Sequence, residues 1–496
     1  SQNYTNVNNF YNLIAQEGAD PWVYKHSNGY YYYLKSTGSN LLLSKSRTLT
    51  GIDVGKNKTV WSSRDTGPSC RDIWAPELHF LRQKWYIYYA GTTCDSDNVN
   101  HRMFVLENKN FDPFIGEFDE KGQITDSTQK WAIDGTVLEH PLSDELYFIW
   151  SGWEGDIDVR QLLYIAHMSN PWTIDSERVE IAIPTYSWET NHRPNVNEGA
   201  QILIHNSTIN LIYSASGSWT NDYSLGLITL DVNNDPMMPS SWIKRSFPLL
   251  QSANGLYGPG HASFTKSPDD KENWIVFHNA RYNGSGWVRQ VRTQIFSWNL
   301  DNTPNFCSLN DPNIPIQLPS GEPIRQRYEA EYAEFDSGPS VRYDLAASNH
   351  LKVEGLNKTN SLIEFFIYLN MEGWYVVNVR ARTSNDENSK TSSSLYLRVN
   401  DNYNNSSKHR LQQEMNYLNA LENVNLETVE NLLKENAQIR EKLDLQESKT
   451  LRLKREIEIL TSRLHVLEDE IDTYEQETSD LRQQIRQQRL NSPHIQ

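Results

Sequence analysis

Asp20, Asp134 and Glu198 are carboxylates set at the mouths of strand-like apolar runs, in "ADPWVY", "IDGTVLEH" and "NEGAQILIH". Strand interiors favour β-branched and aromatic residues, so a charge at such a place needs a reason. Taken singly, each reads as a turn residue facing water. Taken together they share a phase. Asp20, Trp74 of "DIWAPELHF", Asp134, Glu198 and His261 of "GPGHASF" follow one another at steps of 54, 60, 64 and 63 residues. Three carboxyls brought to one point can divide the work of acid–base hydrolysis. Cleaving a glycosidic bond with inversion takes one carboxylic acid to protonate the leaving oxygen and one carboxylate to activate water. The pair stands about 6.5–9.5 Å apart so that the water fits. The acid must keep its proton near neutral pH, which burial or a neighbouring anion achieves.

The elements that would gather these residues are strands. Up to about residue 320 the chain is a series of short aromatic and β-branched runs broken by Gly, Asn, Asp and Pro, such as Gly29–Leu34, Trp85–Ala90, Leu146–Trp150 and Trp274–His278. Helical periodicity is almost missing there. A step of about sixty residues fits one four-stranded antiparallel sheet with its turns, and five such units make a five-bladed β-propeller. The innermost strands of a propeller line its axis, so their equivalent ends meet although they lie far apart in sequence. A large β-sandwich, or two smaller β domains, is the competing architecture. The stretch rich in Pro, Asn and Asp from 301 to 323 reads as a linker or a closing strap.

Two further regions follow, which places the domains at 1–323, 324–405 and 406–496. In the second, "YEAEYAEF", "SLIEFFIYLNMEGWYVVNVRARTSN" and "SSLYLRVND" alternate like the strands of a short β-sandwich. The third has neither Gly nor Pro between 408 and 490. Its heptads run from Leu411 through Leu418, Leu432 and Leu453 to Leu481 at one core position, and from Met415 through Val429 and Ile457 to Ile485 at the other. Sixteen of the 22 core positions are apolar in one unbroken frame, which predicts a coiled coil. Such a stripe needs a partner, most simply a second copy of the chain. Asn425 and Asn436 at core positions would set its register.

The totals bound the possibilities. At 496 residues the chain is long enough for several domains. A net charge of −17 argues against a nucleic-acid partner. No run of 18 apolar residues occurs, so no membrane-spanning helix is expected. The load of 15 Trp and 26 Tyr suits both sugar stacking and an all-β core, and does not separate them. Sequons begin at Asn3, Asn57, Asn206, Asn283, Asn357, Asn404 and Asn405, and with the start at Ser1 they point to a secreted, extracellular protein. Of the three cysteines, Cys70 and Cys94 can pair within one strand-rich segment, leaving Cys307; three free thiols is the alternative.

Six segments in order, "ADPWVY", "WAPELHF", "IDGTVLEH", "VNEGAQIL", "GPGHASF" and "VRTQIFSWNLDNTP", resemble glycoside hydrolase family 43, and within it the exo-acting α-L-arabinofuranosidases. The resemblance implies a five-bladed propeller and an inverting mechanism. It assigns Asp20 as general base, Glu198 as general acid, and Asp134 as the group that orients the acid and raises its pKa. It also implies Arg292 at the pocket floor, Trp74 as a wall for the sugar, and Trp153 as a second wall or an ordinary core residue. His261 falls on the propeller axis beside water or a structural Ca2+ or Na+ ion; the chemistry itself requires no cofactor. Ala200 stands where the family has proline, and Asn302 where it has glycine. The middle unit resembles part of a carbohydrate-binding module.

The function these readings favour is release of terminal α-L-arabinofuranosyl residues from arabinan or arabinoxylan, with a plant-type polysaccharide or oligosaccharide as the partner. A β-xylosidase or an endo-arabinanase would use the same fold. A non-catalytic sugar-binding propeller and a coiled-coil scaffold are the readings of another class. The complete carboxylate trio speaks against the first of these.

Overall fold

The computed structural model describes residues 4–94 and 98–328, together with strands Glu334–Asp336, Ser340–Tyr343, Leu351–Glu354 and Leu362–Glu364. The expected coiled coil and most of the 324–405 unit lie outside the described residues. Within that unit the four short strands form two antiparallel pairs, Glu334–Asp336 with Leu362–Glu364 and Ser340–Tyr343 with Leu351–Glu354.

The first region is built of antiparallel meanders. Trp22–Lys25, Tyr31–Ser36, Asn40–Ser46 and Lys56–Ser62 make the first sheet, and Arg71–Leu81, Lys84–Thr92, Arg102–Asn108 and Asp119–Ile124 the second. A nine-stranded sheet follows, starting at Ala132–Glu139 and ending at Ile243–Lys244. The strands of its two halves pair only briefly, in parallel, Arg160 with Asn195 and Gln161 with Val196. Tyr257–Lys266, Asn273–Ala280, Arg289–Trp298 and Pro304–Asn305 make the last sheet. The helices among the described residues are single 3-10 turns.

Alternation along the strands shows how the sheets stack. Tyr31 and Tyr33 pack with Trp274 and Val276 of the last sheet, while Tyr32, between them, packs with Trp85 and Ile87 of the second. Tyr86 and Tyr88 turn the other way, onto Phe148 and Trp150. Tyr147 and Ile149 join Leu211 and Tyr213, and Ile212 joins Ile275 and Phe277. Successive residues of a strand face opposite sides, so strands covered on both faces read as unbroken apolar runs. Because the last sheet packs on the first, the layers close into a ring, a propeller arrangement.

The Pro- and Asn-rich stretch after residue 300 is a strap. Ile316–Gln317 pairs with Asn9–Phe10, and Arg325–Tyr328 pairs with Tyr4–Val7, tying the two ends of the ring together. Asn302 adopts a left-handed φ of 63° in its turn, which asparagine tolerates. Cys70 and Cys94 form a disulfide, and Cys307 is free and exposed.

The second half of the nine-stranded sheet is anchored by one buried acid. Glu189 is fully buried and accepts hydrogen bonds from the Thr185 and Tyr186 amides at 2.7 and 2.8 Å, Asn197 Nδ2 at 3.0 Å and the Tyr213 hydroxyl at 2.8 Å. Lys244 Nζ lies 2.6 Å away. Burial works to raise the Glu189 pKa, but Lys244 and these donors outweigh it and hold the group below its ordinary value. Glu189→Gln leaves Lys244 largely buried without its counter-ion. We expect a loss of about 3–5 kcal/mol in denaturant unfolding, the cost of breaking a buried pair from one side.

Candidate active site

Four of the inner strands carry the same irregularity. The register slips between Trp74 and Glu77, Ile133 and Thr136, Glu198 and Gln201, and Gly260 and Ser263. Inside these bulges Ala75, Asp134, Gly199 and His261 have φ values of 40°, 54°, 58° and 45°, and Asp20, just before the first strand, has 48°. Asp and His visit this region more readily than most residues, yet it still carries strain. The bulges re-aim the side chains beside them. They turn what would be sheet-face residues toward the ring's centre.

The structure brings Asp20, Asp134, Glu198 and His261 together. Asp20 Oδ1 lies 3.2 Å from His261 Nδ1, 3.3 Å from His278 Nδ1 and 3.3 Å from an Arg289 guanidinium nitrogen. The Asp20 amide donates to His278 Nδ1 at 3.0 Å. Asp134 Oδ2 accepts from the Gly199 amide at 3.1 Å and is 3.8 Å from His261 Nδ1. Glu198 Oε1 accepts from the Tyr223 hydroxyl at 2.8 Å.

The electrostatics separate the carboxyls. Burial alone would raise the Asp20 pKa, but His261, Arg289 and His278 outweigh it and hold the group well below the usual carboxylate range. Glu198 is pushed up to about 7, chiefly by burial; Asp20 adds to the rise, while the Tyr223 hydroxyl and Arg289 oppose it. Asp134 is also raised well above its ordinary value by burial, then by Glu198, Asp20 and Glu77. At neutral pH this constellation holds one carboxylate firmly ionised beside carboxyls that retain protons. That division is what acid–base hydrolysis requires.

Four participants escaped the sequence reading. Arg289 meets Asp20, whereas Arg292, expected at the pocket floor, bonds to Asn279 Oδ1 at 3.1 Å and to the Asn12 carbonyl. The two are three residues apart in one strand and therefore face opposite ways. Tyr223 and His278 stack with planes 3° apart, and burial pushes His278 down to about 3, so it is neutral. Glu77 is buried between His79 at 2.8 Å and Gln201. Its signal was its place just after the shared phase position, in "WAPE".

The two expected aromatic walls part company. Trp74 is 37% exposed, with its ring stacked 3.9 Å over His101. Trp153 instead stacks on Trp131 at 4.7 Å inside the core, at 1% exposure, and is a packing residue. His261 is held by the site's own groups. Its Nδ1 faces Asp20 and Asp134, its backbone amide donates to Ser214 Oγ at 2.8 Å, and among the described residues no cluster of three metal-ligating side chains forms.

Gly199 is a position that favours glycine. A Cβ there would stand 3.1 Å from the His261 ring at φ +58°. We expect Gly199→Ala to cost roughly 1–2 kcal/mol of stability from the left-handed backbone. It should also lower turnover more than stability, because the shifted amide and imidazole contact Asp134 and Asp20. Paired unfolding and initial-rate measurements check both.

The profile described as glycosyl hydrolases family 43 matches residues 11–304. An extracellular exo-α-(1→5)-L-arabinofuranosidase of Streptomyces avermitilis is 35% identical over 367 residues, covering 70% of this chain and 75% of its own. The α-L-arabinofuranosidase B of Pyricularia oryzae is 33% identical over 335 residues, covering 64% and 66%. The crystal structure of an α-L-arabinofuranosidase from Lactobacillus brevis superposes with a TM-score of 0.57 at 35% identity, over 61% of this chain and 97% of that one. The matched stretch contains all three carboxylates, Arg289 and Tyr223, and the chain belongs to glycosyl hydrolase family 43: it is a glycoside hydrolase.

Proposed function

We propose that the enzyme releases terminal α-L-arabinofuranosyl residues from arabinan or arabinoxylan with inversion at the anomeric carbon. The observation that carries the mechanism is the opposite surroundings of Asp20 and Glu198. Glu198 donates its proton to the glycosidic oxygen as the bond to the anomeric carbon breaks. Asp20 takes a proton from water as the water oxygen bonds to that carbon from the other face. Asp134 positions the strand of Glu198 through the Gly199 amide, while burial and the Asp20 charge favour the protonated form of Glu198. After the product leaves, Asp20 loses a proton to solvent and Glu198 regains one. No cofactor enters this cycle. Arg289 holds Asp20 ionised, and its buried Nε–H has no acceptor among the described residues. Trp74 is retained as a wall of the pocket.

The arabinofuranoside specificity rests on the names of the relatives, which are arabinofuranosidases. We count the nine-stranded sheet as two blades, which makes the ring five-bladed. We take 1–323 as the catalytic domain, 324–405 as a partial carbohydrate-binding module, and 406–496 as a coil that joins copies of the chain. Extracellular action accords with the name of the Streptomyces relative and with the Cys70–Cys94 disulfide, which suits an oxidising compartment.

Aryl α-L-arabinofuranoside, aryl β-D-xyloside and linear arabinan test the specificity. We expect cleavage of the first; internal cutting of arabinan with neither aryl glycoside cleaved contradicts the proposal. Glu198→Gln and Asp20→Asn should each lower kcat by about a hundred- to ten-thousandfold. The pH profile follows from the pKa directions. Activity needs Glu198 protonated, so kcat/KM falls as pH rises through about 7. It needs Asp20 ionised, and that group is held low, so the acid limb appears only below the usual carboxylate range.

A further inference from the structure

We infer that Trp219 and Trp287 form a stacking platform for the part of the polysaccharide that remains after cleavage; this rests on the arabinofuranosidase reading above. Two loops carry them. Residues 216–223 join Thr208–Ala215 to Ser224–Asp231, and residues 281–288 join Asn273–Ala280 to Arg289–Trp298. Both leave their sheets at the end where the site lies. Ala215 pairs with Asn197, next to Glu198, and Ala280 pairs with Arg289. The first loop ends at Tyr223, whose hydroxyl bonds Glu198, and the second at Arg289, which bonds Asp20.

The loops belong to different sheets and are fastened to each other. Asn221 Nδ2 donates to Asn283 Oδ1 at 2.6 Å, and the Gly284 amide donates to Asn221 Oδ1 at 3.1 Å. The Trp287 indole N–H donates to Ser218 Oγ at 3.3 Å, and its ring meets Trp219 edge-on, with centroids 5.8 Å apart and planes at 62°. Gly217 lets the Trp219 ring fold back on its own loop, since a Cβ there would lie 2.7 Å from that ring. Trp287 is nevertheless 67% exposed. A large apolar ring held in one orientation yet left in water serves no core. A sugar ring offers it an apolar C–H face and a polar edge, the pairing for which an amphipathic aromatic is suited.

The side of the pocket is set by the chemistry. Glu198 protonates the leaving oxygen, so the retained chain departs on its side, where Tyr223 ends the Trp219 loop. A ring stacked on Trp287 would hold the sugar next to the one released. The platform thus reads chain length, which a small aryl leaving group cannot report.

The test compares kcat/KM for α-1,5-arabinotriose with that for an aryl α-L-arabinofuranoside in the full chain, as a ratio. Trp287→Ala should lower the ratio about tenfold, mainly through KM for the trisaccharide, and Trp287→Tyr should restore most of it. Ser218→Ala, which frees the indole, should lower it about two- to threefold and serves if the alanine variant at 287 does not fold. An unchanged ratio in these variants, or a tyrosine variant no better than alanine, overturns the platform while the arabinofuranosidase reading stands. Failure of the wild type to cleave the aryl arabinofuranoside overturns that reading, and the platform falls with it.

Discussion

Three carboxyls crowded at one point, two of them buried, cannot all stay ionised, and the rest of this structure is arranged around that constraint. Asp20 resolves it by attraction, with Arg289 and the two imidazoles of His261 and His278 gathered on one carboxylate oxygen. Glu198 and Asp134 resolve it by holding protons, because burial and mutual repulsion favour their neutral forms. A hydrolase needs a base and an acid side by side at one pH, and the unequal surroundings of these carboxyls, with Arg289 on Asp20 alone, provide both.

The fold makes the crowding possible. Inner strands about sixty residues apart in sequence end at the same place only because the ring closes, with Tyr31 and Tyr33 of the first sheet packed on Trp274 and Val276 of the last. Bulges with left-handed residues then turn the side chains inward. The strain this stores is offset by packing between the sheets of the ring and by buried anchors such as Glu189. One such anchor, Asn197, bonds Glu189 and precedes the acid directly, so the support of the sheet and the aim of Glu198 are the same device.

Some of this was legible in the sequence, and the reason is geometric. Asp20, Asp134, Glu198 and His261 occupy one phase of a repeat, so period and residue type together disclosed them. Tyr223 comes from a loop, His278 and Arg289 from other strands of the sheets, and none shares a phase with the inner strands; only the folded ring brings them in. Arg292 misled because two arginines lie in one strand and the sequence does not say which face is inside. Trp153 misled because a buried tryptophan and a sugar-binding one look alike until Trp131 is seen against it.

The division of charge among the carboxyls is the central claim, and it can be read without turnover. Carbon-13 labelling of the side-chain carboxyls, with Glu198→Gln and Asp20→Asn spectra for assignment, follows each group across pH by nuclear magnetic resonance. The account predicts that Glu198 titrates near 7 and that Asp20 stays ionised through the range where ordinary carboxyls protonate. A Glu198 that titrates like an exposed glutamate, near about 4.3, or an Asp20 that titrates above it, would contradict the account.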